Sequence, residues 1–148
     1  MPYICGYDPG RKGSVAWIDA DTKKLLGVED AGSAEPDTPQ KLLDIFRGAA
    51  AVVIERPLAF RGIPAQDQMI LAESYGIALA CASLAGVPVV ITPTASQWKA
   101  SLGVTKVKRT SVLEAVRIFE IEGRKPRHDR AEAMLLAYYG WQQGGFNG

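Results

Sequence analysis

Ala50-Ala51-Val52-Val53-Ile54-Glu55 is an unbroken apolar run, rich in β-branched residues and closed by one carboxylate. A strand with one wet face alternates apolar and polar side chains, whereas a run without alternation suits a central strand covered on both faces. Layers that cover a sheet in this way are helices, so the stretch predicts an α/β arrangement. On its N-terminal side, Tyr3 to Tyr7 reads as a first strand stopped by Pro9-Gly10. Ser14 to Ile18 and Lys24 to Glu29, joined by the polar turn Asp19 to Thr22, complete an antiparallel meander. The polar stretch Ala31 to Pro39 leads into a short amphipathic helix with Leu42, Leu43, Ile45 and Phe46 on its apolar face, ending near Gly48.

On the C-terminal side, Gln66 to Leu84 is the longest helical pattern. Its small residues Ala72, Gly76, Ala80 and Ser83 permit close packing against the sheet or another subunit. Val87 to Ile91 reads as a further buried strand. Thr92 to Lys99 is a loop entering a helical turn, and a helix is expected from about Arg109 to Phe119. The basic linker Gly123 to Arg127 precedes a last helix from His128 to about Gln142, and the tail after residue 143 reads as frayed.

With 148 residues, 47% of them hydrophobic and 22% charged, the chain suits a single packed domain. No apolar run approaches the roughly 20 residues that span a bilayer, and no basic-then-apolar leader opens the chain. A cytoplasmic protein with no membrane partner is therefore expected. Cys5 and Cys81 have no second cysteine nearby, which favours buried free thiols over a disulfide framework or a metal knuckle. The net charge is only +1 but unevenly spread: from Lys99 to Arg130 nine basic residues face four acidic ones, leaving eight against twelve elsewhere. Such asymmetry favours a local anion-binding face.

Four carboxylates stand out. Asp8 follows the first strand in Tyr7-Asp8-Pro9-Gly10, Glu55 ends the central strand, and Asp129 and Glu132 share one face of the last helix at i, i+3. If they converge, a pair of hard divalent cations is what keeps so much negative charge together. Mg²⁺ is held by carboxylates plus substrate phosphate oxygens, so metal-dependent phosphodiester chemistry is the leading expectation.

The first-strand Gly6-Tyr7-Asp8-Pro9-Gly10, the strand-terminal Glu55, the stretch Pro93-Thr94-Ala95-Ser96-Gln97-Trp98-Lys99 and the C-terminal Asp129-Arg130-Ala131-Glu132-Ala133 occur in an order that resembles RuvC-type Holliday-junction resolvases, within the RNase H-like nucleases. The resemblance covers nearly the whole chain. It implies one domain with a five-stranded mixed sheet flanked by helices. It also implies an active site of Asp8, Glu55, Asp129 and Glu132 binding two Mg²⁺ ions, with Mn²⁺ able to substitute, and a homodimer cutting four-way DNA junctions symmetrically. The sequence departs from the family at Glu132, where Asp is usual; the extra methylene moves the carboxylate outward by roughly one bond length, which bears on the strict octahedral geometry of Mg²⁺. His128 shares the face of Glu132 at i−4 and is read as a helix-start residue, a phosphate contact or a group supporting the metal site.

The DNA-binding candidates are basic or aromatic. Arg11 and Lys12 follow the Asp8 loop, and Phe60 and Arg61 lie on the loop after Glu55, where an aromatic side chain can stack on an opened junction. Lys99 closes the Trp98 motif, and Trp98 itself is read as a packing residue. Lys106, Lys108 and Arg109 crowd a helix N-terminus, unfavourable for the dipole unless a phosphate shares the site. Arg124, Lys125, Arg127 and Arg130 flank the last carboxylate pair. The long helix Gln66 to Leu84 is the expected dimer interface by analogy. Two other readings stay open: a junction-binding module with an impaired site, and an RNase H-like nuclease acting on flap, branched or RNA:DNA substrates. The chain shows no Walker or zinc motif, and one domain of this length cannot form the two-domain cleft of an actin-like kinase.

Overall fold

A computed structural model describes residues 2–59 and 61–144. Strands β1 (Tyr3–Asp8), β2 (Ser14–Asp19) and β3 (Leu25–Asp30) form the expected meander, followed by α1 (Thr38–Phe46) and β4 (Ala51–Ile54). Helix α2 (Ala65–Leu84), strand β5 (Val90–Ile91) and helices α3 (Ala95–Leu102), α4 (Lys108–Phe119) and α5 (His128–Gln143) complete the chain. The sheet is five-stranded and mixed, in the order β3-β2-β1-β4-β5, antiparallel across β1, β2 and β3 and parallel from β1 to β4 and β5.

Alternation along the strands assigns the two faces. Ile4, Ala16, Ile18, Ala51 and Val53 pack with Leu135, Leu136 and Ala137 of α5, Ala115 of α4 and Trp98 of α3. Cys5, Tyr7, Val15, Val52 and Ile54 pack on the opposite side with Leu42 and Phe46 of α1 and Ala78, Cys81 and Ala82 of α2. All four residues of β4 are buried, as an unalternating strand requires. Cys5 and Cys81 are buried free thiols.

Helix α5 lies unusually close to the sheet because two glycines remove what would hold it off. A Cβ on Gly6 would stand 2.2 Å from the Ala133 carbonyl oxygen and 2.4 Å from the Ala137 nitrogen. One on Gly140 would stand 2.5 Å from a Val53 methyl. These approaches set the height of α5 above β1 and β4.

Two expectations change. The strand predicted over Val87 to Ile91 shrinks to Val90–Ile91, because Pro88 brings no N–H to the ladder and Val90 is exposed at the sheet edge. The helical turn expected within Thr92 to Lys99 is a full helix, Ala95–Leu102, whose start is fixed by Thr94 and Gln97, each side chain bonding the other's backbone N–H. The small residues Ala72, Gly76, Ala80 and Ser83 face outward, since the sheet side of α2 is Ser74, Ala78, Cys81 and Ala82. No helix among the described residues is long and apolar enough to cross a membrane.

Candidate metal centre and its basic surround

Asp8 and Glu55 emerge side by side because β1 and β4 are parallel and in register, Tyr7 opposite Ile54, with the Glu55 N–H donating to the Tyr7 carbonyl at 3.3 Å. Alternation turns both carboxylates to the α5 side of the sheet. Glu132, one turn into α5 and 4% exposed, meets them there. Asp8, Glu55 and Glu132 each offer an oxygen within 4.8 Å of the others. Three carboxylate oxygens with no nitrogen or sulfur donor suit a hard, oxygen-seeking cation such as Mg²⁺ or Mn²⁺.

Each of these carboxylates, apart from Asp8, is held by a named donor. The Trp98 indole N–H donates to Glu55 Oε1 at 2.8 Å, from a side chain with no solvent exposure. The buried Ser111 hydroxyl donates to Glu132 Oε2 at 2.6 Å, and Lys99 Nζ lies 3.3 Å from the same oxygen. His128 Nε2 stands 3.5 Å from it. Burial pushes the Asp8 carboxyl well above its ordinary range, and the charges of Glu55, Glu132 and Asp129 add to this against Lys99. Burial also raises Glu55, opposed by the Trp98 hydrogen bond. Concentrated carboxylates that resist ionisation are what a bound cation would relieve.

Asp129 lies beside this trio rather than within it. Its Oδ2 accepts from Ser14 Oγ at 2.8 Å and faces Arg127 Nη2 at 3.2 Å. Ser14 pairs with Asp8 across β1 and β2, so this bond ties Asp129 to the strand next to Asp8. Arg127 and Arg130 both bond Asp30 at the end of β3, and Arg130 foremost holds the Asp30 carboxyl below its usual range.

The other basic candidates divide by position. Arg11, Lys12, Arg61, Lys106, Lys108, Arg109, Arg124 and Lys125 are exposed, whereas Lys99 is drawn inward against Glu132. Phe60 lies outside the described residues. Sequence reasoning did not single out Ser14, Ser111 or Asp30. A readable trace existed for Ser111 alone: a hydroxyl four residues before Ala115 on the buried side of α4.

Fold and site together define an α/β domain with a five-stranded mixed sheet, carrying a carboxylate centre at the ends of its two central parallel strands. The particular fold is that of RuvC. A Thermus thermophilus RuvC in complex with a Holliday junction substrate is 20% identical, with 97% of each chain covered and a TM-score of 0.71. A second Thermus thermophilus RuvC structure is 22% identical over 95% of each chain, with a TM-score of 0.67. No protein-family model and no curated protein sequence matches the chain.

Proposed function

We propose that this protein is a divalent-metal-dependent endonuclease that resolves four-way DNA junctions by paired symmetric nicks. The observation that carries the reading is the convergence of Asp8, Glu55 and Glu132 within 4.8 Å on a fold shared with a junction-bound RuvC. Asp8, Glu55 and Glu132 would hold the metal, with the adjoining Asp129 as the fourth ligand of a two-ion site. When bound, Mg²⁺ or Mn²⁺ supplies Lewis acidity to the attacking water and to the leaving oxygen of an in-line displacement.

The chain's own residues prepare that reaction by fixing geometry. Trp98 holds the Glu55 carboxylate in one orientation, and Ser111 does the same for the longer Glu132 arm. Ser14 holds Asp129. Lys99 places a cation at the inner edge of the cluster, where a phosphate oxygen would meet it. The exposed cations Arg11, Lys12, Arg61, Lys106, Lys108, Arg109, Arg124 and Lys125 would contact the flanking backbone. Two cuts on a two-fold junction call for a homodimer, and the outward small-residue face of α2 is the surface proposed for it.

The test is cleavage of an end-labelled synthetic four-way junction beside matched duplex, flap and RNA:DNA hybrid, with Mg²⁺, Mn²⁺ or EDTA. Symmetric nicks on the junction, lost with EDTA and with Asp8→Asn, are expected. Tight binding without nicks would leave a binding module, and preferred cutting of flap or hybrid would keep the centre and discard the junction.

A further inference from the structure

Beside the carboxylates, and sharing Glu55 with the metal centre, a cavity of about 730 Å³ opens between the loop after Glu55, α2 and α3. Its wall is apolar: Leu58, Ile63, Leu71, Ala100 and Val104. Leu58 and Ala100 are exposed there, so the wall is wet in the free protein. Arg56, Lys99 and Lys106 also line it, and Glu55 belongs both to this cavity and to the carboxylate trio.

A duplex backbone gains nothing from an apolar wall, since phosphates and sugars need cations and donors. An unstacked nucleobase does gain, because its two faces are apolar and its strand carries phosphates for the cations. We propose that this cavity takes one nucleobase, turned out of the stack, from the nucleotide adjoining the scissile phosphate. The strand then runs along Arg56, Lys99 and Lys106, its phosphate at the carboxylates and its base against Leu71 and Val104. The proposal rests on the nuclease reading and adds to it a subsite that reads base shape at the cut.

The experiment uses the full chain with DNA carrying 2-aminopurine at each of the positions flanking the cut, in Ca²⁺, presented both in a four-way junction and in a single strand. Emission of 2-aminopurine rises when the base leaves its stack. One position is expected to brighten with the wild type and to lose that change in Ala100→Phe, which fills the cavity from an exposed position. Leu58→Gln, also exposed, should weaken the change. Affinity for the strand should fall roughly fivefold or more in the filled variant, the low end of one lost base contact. Cleavage in Mg²⁺ by the wild type, read in parallel, separates the two ideas. Junction cleavage with no brightening at any position overturns the subsite and keeps the nuclease. Brightening on the single strand without junction cleavage keeps the subsite and discards the junction. Brightening that survives Ala100→Phe overturns the cavity as its cause, and neither cleavage nor brightening overturns both.

Discussion

Asp8 shows at the scale of one residue how a site opposes the fold that carries it. Its carboxyl is raised by burial and by neighbouring carboxylates, so the folded chain holds that proton more tightly than the unfolded chain does. Stability of the metal-free protein should therefore decline as pH rises from the ordinary carboxylate range through the raised value, and stay low above it. Asp8→Asn removes the charge and should raise the metal-free melting temperature at pH 7.5 by roughly 3 °C per kcal/mol of repulsion relieved, flattening the decline. Melts from pH 4 to 8, with and without Mg²⁺, check this; an unchanged pH profile would count against crowding at Asp8. Trp98 makes a second residue-scale case. Trp98→Phe keeps the ring in the core but removes the donor to Glu55, and supporting donors of this kind commonly contribute about 10- to 100-fold in metal affinity. Isothermal titration with Mn²⁺ should show a loss of that order with the fold retained by circular dichroism.

Among the elements, α5 and β1 depend on each other. Glu132 reaches Asp8 because α5 sits close over Gly6, and a methyl there would stand 2.2 Å from helix backbone that cannot move aside without moving Glu132. Gly6→Ala should cost about 3 kcal/mol or more, the upper part of the range for overpacking, read as a lower urea midpoint. Activity should fall further than the lost stability explains, because the displaced turn carries a carboxylate. Strand β5 makes the opposite point. Val87-Pro88-Val89-Val90-Ile91 has the composition of a buried strand, yet only Val90–Ile91 pairs, since an apolar run alone does not reveal whether a further strand lies beyond it.

At the level of the whole molecule, the uneven charge becomes a surface. Nine of the basic candidates are exposed, but Arg127 among them is engaged by Asp30, as Arg130 is, and Lys99 is engaged by Glu132. Free cations should dominate the salt dependence of DNA binding: Lys108→Ala should flatten the slope of log affinity against log salt by about 0.9, the share of one phosphate contact. Arg130→Ala should change it less, because that side chain already has a carboxylate partner. Fluorescence anisotropy with labelled junction across a salt series distinguishes the two.

The sequence alone determined the strand meander, the buried central strand, the last helix and the carboxylates Asp8, Glu55 and Glu132, because periodicity, punctuation and strand-end charges are local properties of the chain. It also marked Asp129 as a fourth candidate ligand and the stretch from Lys99 to Arg130 as a basic face. Only the tertiary structure decided that Trp98 and Ser111 orient particular carboxylates, that Lys99 turns inward, and that Arg127 and Arg130 are shared with Asp30. Those partners lie 21 to 100 residues apart in the chain. Hydrogen bonds at such separations depend on how closely the layers pack, here on the methyl groups missing at Gly6 and Gly140, and no local pattern encodes that distance.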